Sequence, residues 1–237
     1  MSRLPILMYH NITSNQSKSL GLTISIQKFE EQLKYLVDNK FTSYFVSELE
    51  NKDVILKKSV VITFDDVTEN QLYYALPLLK KYHIKATFFV PFSYMGQSDT
   101  WNDGSEKIMT IEQLKSLDSE LIELGHHSFF HRKYVSLTSE EIQEDFDKSF
   151  ALISRNNLIV YPALAYPYGN YPKKSNQKIA FFKILEKNKI KMAFRIGNRV
   201  NRFPFKHKFE IQRIDIKGQD NLFIFKLKLK FGKLRLF

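Results

Sequence analysis

Apolar residues along this 237-residue chain fall into two alternating patterns. Short continuous runs read as buried strands: Leu4 to Tyr9, Ser59 to Phe64, Ala86 to Val90, Ala163 to Tyr166, Met192 to Arg195 and Ile211 to Ile216, with a further short one around Thr42 to Val46. Between them, apolar residues recur at helical spacing. Phe29, Leu33 and Leu36 share one face of Ser25 to Asn39, followed by the stripes Leu72, Ala75, Leu76, Leu79 and Ile142, Phe146, Phe150, Ile153, and then by Ile179, Phe182, Leu185. Three starts have capping-box form: Thr68 to Gln71, Thr110 to Gln113 and Thr138 to Glu141. The second is expected to open a helix that runs to Gly125, a residue suited to a left-handed stop. Pro77 is expected to kink its helix or to mark where the regular part begins, and Pro172 to start another.

Strand and helix therefore alternate, which predicts an α/β protein with a parallel sheet covered by helices. The length suits a closed (β/α) barrel of seven or eight units, with any site at the C-terminal ends of its strands. A doubly wound open sheet is the alternative, but no Gly-rich phosphate loop recommends it. One domain, 1–237, is expected, ending in a basic amphipathic tail at about 221–237.

Charge and composition narrow the chemistry. With no cysteine, any metal must be held by histidine, carboxylate or water. The formal charge of +11 fits an anionic partner, and its distribution is uneven. Past Asp220 there is no acidic residue, while Lys226, Lys228, Lys230, Lys233 and Arg235 alternate with Phe225, Leu227, Leu229, Phe231, Leu234 and Leu236. Peripheral contact with an anionic membrane surface and a closing strand or helix with a solvated basic face both fit that pattern. No recognition helix or zinc-finger spacing supports nucleic acid. The apolar stretch after Met1 is too short for a signal-peptide core, and no window reaches a membrane span of about 20 residues. The expectation is a cytoplasmic protein, peripheral at most to the inner face of the membrane.

The strand from Ser59 stops at two adjacent carboxylates, Asp65 and Asp66. By themselves they read plainly as a helix cap and a solvated neighbour. Further on, three of the six histidines, His126, His127 and His131, lie where another strand should end. The barrel rule places them on the same rim as the carboxylates. Two imidazoles and a carboxylate are three protein ligands with a position left for water, the pattern of a catalytic metal site. The other carboxylate then stays free to act as a base.

These motifs resemble the polysaccharide deacetylases of the NodB homology family, carbohydrate esterase family four. Thr63-Phe64-Asp65-Asp66 is similar to the family's first motif, and His127-Ser128-Phe129-Phe130-His131 to its second. Ala165-Tyr166-Pro167-Tyr168-Gly169 resembles the third, and the opening Leu7-Met8-Tyr9-His10 resembles the poly-N-acetylglucosamine deacetylase subgroup. The resemblance implies a distorted, NodB-like (β/α) barrel. It makes Asp65 the catalytic base and Asp66, His127 and His131 the ligands of one divalent metal. Zinc is the expected ion, with cobalt, nickel and manganese as alternatives. It also implies a groove wall at Tyr166, Pro167, Tyr168 and Gly169, and a backbone N–H near Tyr168 that faces the developing oxyanion. Trp101, with Tyr166 and Tyr168, offers flat faces for a sugar ring.

Two departures from the family pattern carry expectations of their own. Ala165 stands where the family has an arginine beside the base, and Arg213 is expected to supply that charge from a neighbouring strand end. The family's terminal histidine acid has no match, which leaves His10 as the substitute acid. His126 is expected to support its neighbours or face solvent. The implied activity is removal of an N-acetyl or similar small acyl group from an amino sugar, in a glycan or a lipid-linked saccharide. A catalytically degenerate carbohydrate-binding domain is the alternative.

Overall fold

The computed structural model describes residues 2–233. Seven parallel strands close into a ring: β1 (Ile6–Tyr9), β2 (Ser59–Asp65), β3 (Ala86–Val90), β4 (Ile122–His126), β5 (Ala163–Ala165), β6 (Met192–Ile196) and β7 (Ile211–Asp215). The order is β1-β7-β6-β5-β4-β3-β2, and β2 pairs back onto β1. The ring is uneven. β3 and β4 share five register pairs, whereas β4 and β5 share the single pair His126↔Leu164. Outside the ring run α1 (Ile26–Asp38), α2 (Leu76–Tyr82), α3 (Ile111–Lys115), α4 (Ser139–Arg155), α5 (Ser175–Lys187) and α6 (Leu222–Phe231).

Strand alternation sorts the core into an inner layer and two outer ones. Ile6, Val61, Phe89, Ala163, Ala165, Met192, Phe194 and Ile211 fill the lumen. Leu7, Tyr9, Ile62, Phe64 and Phe88 face outward onto Phe29, Leu33 and Leu36 of α1. Leu164, Tyr166 and Ala193 pack under Phe146 of α4 and Phe181 of α5. Burial of each such aliphatic or aromatic side chain contributes roughly 1.5–3 kcal/mol. The same parity carries Thr63 and Asp65 above Val61, and Arg213 above Ile211, so polar groups cap an apolar lumen at its C-terminal mouth.

Local signals hold in part. Thr110 and Thr138 form complete capping boxes with Gln113 and Glu141. Thr68 and Gln71 do not. The Thr68 hydroxyl donates to Asn11 Oδ1, and Gln71 Nε2 donates to the carbonyls of His10 (3.0 Å) and Asp65 (2.7 Å). With those side chains engaged elsewhere, the segment opens as a π turn, Gln71–Ala75, and regular helix starts at Leu76 with Pro77 in its first turn. The helix expected to reach Gly125 ends at Lys115, where the Ser116 hydroxyl donates to the Gln113 carbonyl, and beyond it the Asp118 side chain accepts from the Glu120 amide in a turn. Gly125 is instead inside β4. Pro172 precedes the start of α5, with Lys174 at the N-cap position. The strand expected at Thr42 to Val46 is confined to Thr42–Ser43. Of the C-terminal tail, residues through Phe231 form α6, and Leu234, Arg235 and Leu236 lie outside the described residues.

Gly125 shows why the weakly paired seam can exist. A Cβ there would stand 2.7 Å from the buried Phe89 ring and 3.3 Å from the Ala163 carbonyl oxygen. Gly125→Ala is expected to destabilise the fold by about 1–3 kcal/mol, since the ring has no free space to enter. Urea unfolding followed by circular dichroism checks this.

Candidate active site

Three strand ends and the loops that follow them meet at the mouth. β2 delivers Asp65 into the lumen, and the chain then turns through Asp66 and Val67, whose φ angles are 72° and 46°. This left-handed step rotates Asp66 away from the lumen and aims it at the loop after β4. In that loop Ser128 and His131 are also left-handed, at 67° and 52°, and Tyr168 after β5 is at 58°. Five non-glycine residues in a sparsely populated region cluster at one mouth, where surrounding hydrogen bonds hold them. Asp145 of α4 accepts from the amides of Phe129 and Phe130 and from the Tyr134 hydroxyl, and Ser128 Oγ accepts from the His131 amide.

The result is a compact donor set. Asp66 Oδ1 lies 3.5 Å from His127 Nε2 and 3.3 Å from His131 Nε2, and those two nitrogens are 3.3 Å apart. Ligands bound tetrahedrally at zinc distances stand about 3.3 Å from one another. Asp66 Oδ1 is buried without a hydrogen-bond partner. An orphaned carboxylate oxygen facing two imidazole nitrogens at this spacing fits a divalent cation. His127 Nδ1 is 2.8 Å from the Ala165 carbonyl; donating there fixes the tautomer that leaves Nε2 bare. Burial pushes the His127 pKa down to about 4, which keeps the ring neutral and able to ligate.

Asp65 sits beside this set without joining it. Arg213 grips its carboxylate with both terminal nitrogens, Nη1 to Oδ1 at 2.5 Å and Nη2 to Oδ2 at 2.7 Å. Burial by itself would raise the Asp65 pKa, but the guanidinium outweighs it and the carboxyl is held well below the usual range. His10 Nε2 and His127 Nε2 are each 3.8 Å from Asp65 Oδ2. Trp101 lies 4.3 Å, centroid to centroid, from the His131 ring and Tyr168 4.9 Å, so both line the cleft of about 520 Å³ above the cluster. Gly169 also lines it.

Tyr166 does not. Its ring is fully buried between α4 and α5, and its hydroxyl donates to the Phe209 carbonyl, because its parity on the strand faces the helices. Pro167 is buried beneath the turn. His126 supports its surroundings: it lies between the Phe92 and Phe150 rings, and burial lowers its pKa to about 4. Three further contributors escaped the sequence reading. Asp145 has a visible signal, a carboxylate on the apolar stripe of α4. Asp99 and Asp215 line the cleft from segments with no such mark.

The family model for polysaccharide deacetylase matches residues 52–183, more than half of the chain. The chain belongs to the polysaccharide deacetylase family. A Bacillus subtilis member of this polysaccharide deacetylase family, YxkH, is 31% identical over 178 residues, which are 73% of this chain and 60% of that protein. The chain therefore spans less than two thirds of that relative's length. The poly-beta-1,6-N-acetyl-D-glucosamine N-deacetylase of Staphylococcus epidermidis is 28% identical over 212 residues, 82% of this chain and 68% of that one. Among solved structures, the Streptococcus pyogenes deacetylase PplD, in complex with acetate, superposes with a TM-score of 0.77 at 23% identity, over 96% of this chain and 98% of that one. IcaB from Ammonifex degensii gives 0.76 at 24% identity, over 92% and 93%. These two likenesses establish the polysaccharide deacetylase barrel as a fold.

Trp101 is the one tryptophan of the chain, and its contact with His131 makes it a reporter. Titration with cobalt or nickel is expected to quench its fluorescence, and His131→Ala to abolish the saturable part. Asp145→Ala, which frees the loop amides, is expected to weaken the apparent affinity about 10–100-fold.

Proposed function

We propose that this chain hydrolyses the N-acetyl, or a similarly small N-acyl, group of an amino sugar within a glycan or lipid-linked saccharide. The observation that carries the reading is a free carboxylate, paired with arginine, beside three ligand-spaced donor atoms in a cleft lined by Trp101 and Tyr168. Asp66, His127 and His131 would hold a divalent cation, with zinc best suited to two imidazoles and one carboxylate and cobalt, nickel or manganese also accommodated. When bound, that ion supplies Lewis-acid polarisation and lowers the pKa of water toward about 7.

The chain's own residues account for the proton traffic. Asp65 Oδ2 takes the proton of the attacking water while oxygen adds to the amide carbon. His10 Nε2, 3.8 Å from that carboxylate oxygen, is placed to give a proton to the nitrogen as the C–N bond breaks, leaving a carboxylic acid and a free amine. Arg213 keeps Asp65 ionised and fixes its direction, the role expected of the charge that Ala165 does not provide. Trp101 and Tyr168 present ring faces to the sugar, and Tyr168 is 47% exposed, which leaves its surface free for contact. The Staphylococcus epidermidis relative's name supports a poly-N-acetylglucosamine type of substrate.

Acetate and formate release from N-acylated amino-sugar oligomers by the metal-reconstituted chain tests the reading. Asp65→Asn is expected to lower kcat on the order of 10²–10⁴-fold, and His127→Ala to remove activity together with metal. A chain that binds one ion per molecule yet releases neither acid from polymeric or lipid-linked sugars would sink it.

Arg213→Ala carries a pH signature. Without the guanidinium, burial dominates and the Asp65 pKa rises, so the acidic limb of the kcat/KM profile is expected to move to higher pH. Arg213→Lys restores charge without the two-point grip and is expected to recover only part of the rate.

A further inference from the structure

The helix α6 lies outside the span of the family match and has no part in the chemistry above. Its buried side rests on the barrel: Phe225 and Leu229 are at most 6% exposed, and Phe225 meets Tyr35 of α1 edge-on at 6.2 Å. Its other side is uncovered and apolar. Phe223 is 66% exposed, Phe231 49% and Ile224 37%, and Leu227 is half-buried next to them. Few soluble surfaces leave two phenylalanines and an isoleucine on one short helix open to water without use.

The charge around this face is of one sign. Lys226 and Lys230 flank the exposed phenylalanines on the helix, and Lys233 follows it. Arg3, whose guanidinium donates to the Lys230 carbonyl, shares a surface hollow with Phe231, Lys233 and Arg199, and Arg202 adjoins it. None of these six cations takes part in an ion pair among the described residues, whereas the two inner lysines nearby do: Lys217 with Asp215, and Lys228 with Asp220. The groove along α6 has Asp215 and Lys217 in its wall, and the same two residues line the catalytic cleft.

We propose that α6 and the cations around it form an interfacial docking surface for an anionic lipid bilayer, with Phe223, Ile224 and Phe231 entering the headgroup region. Ten residues are far too few to span the hydrocarbon core, so the helix lies on the bilayer plane. Apolar rings supply insertion and the unpaired cations supply attraction to anionic headgroups, which together give the two signals that stable peripheral binding needs. The shared wall at Asp215 and Lys217 brings the catalytic cleft beside the docked surface. A protein partner would be expected to offer carboxylates for the cations and a shaped apolar ridge for the groove; the apolar side chains at stake are instead open to water, Phe223 at 66% and Phe231 at 49%, and ringed by cations, the combination an anionic bilayer surface matches.

Co-sedimentation of the full chain with vesicles tests this independently of catalysis. Binding is expected to vesicles with about one third phosphatidylglycerol and not to phosphatidylcholine alone, and to fall at high salt. Lys226→Ala with Lys230→Ala is expected to weaken binding on the order of 25-fold, about fivefold for each cation. Phe223→Ser with Phe231→Ser, both on exposed rings, is expected to abolish sedimentation while leaving the thermal midpoint and metal-dependent quenching unchanged. Equal binding by wild type and these variants, or none to anionic vesicles, overturns the proposal. So does dimerisation in the absence of lipid that the phenylalanine changes abolish, which would assign the face to a second copy of the chain.

Discussion

The Arg213–Asp65 pair is the interaction on which the mouth of the barrel depends. It joins β7 to β2 across the lumen with both partners almost wholly buried. Two ions taken out of water cost several kcal/mol each, and only a two-point grip with further hydrogen bonding offsets that cost. Here Thr63 adds a contact to the guanidinium at 3.3 Å, and the Phe89 ring lies 5.4 Å beneath it. Removing either partner would leave the other as an unpaired charge in an apolar tube, a loss of about 3–5 kcal/mol. Charge balance therefore serves the fold and the proposed base together.

How much was legible in the sequence follows from how local each determinant is. Strand and helix alternation was readable because periodicity is a property of short windows, and β3 was located to the residue. Thr110 and Thr138 were readable as caps because a capping box involves only neighbours in the chain. Thr68 and Gln71 carried the same local signal and were diverted by partners about sixty residues away, Asn11 and His10. Tyr166 was misread for a related reason: its motif neighbours Tyr168 and Gly169 reach the cleft, but strand parity turns Tyr166 into the helix layer. The Asp66, His127 and His131 spacing, in contrast, follows from two strand ends on one rim, which the barrel rule supplies in advance.

Backbone conformation was the part least visible in residue types. Asp66, Val67, Ser128, His131 and Tyr168 all adopt positive φ without being glycine, and the β-branched Val67 is the costliest of them. Each costs on the order of 1–3 kcal/mol, held in place by Asp145, Ser128 Oγ and the packed lumen. The strain buys direction: a carboxylate on one loop and an imidazole on another are turned to face a common point.

The seating of the base against Arg213 bears on the order in which the protein becomes competent. Asp65, Asp66, His127 and His131 all precede residue 132, whereas the countercharge arrives with β7, 148 positions after the carboxylate it holds. Synthesis proceeds from the N-terminus, so a nascent chain carries the complete donor set well before the last strand has emerged. Until then Asp65 lacks the guanidinium that keeps it ionised, and the lumen lacks its closing wall between β6 and β1. Under the proposed roles, full hydrolytic competence thus waits for β7 to emerge and the ring to close, and a barrel without it holds a poorly ionised base even where its donor cluster has already assembled.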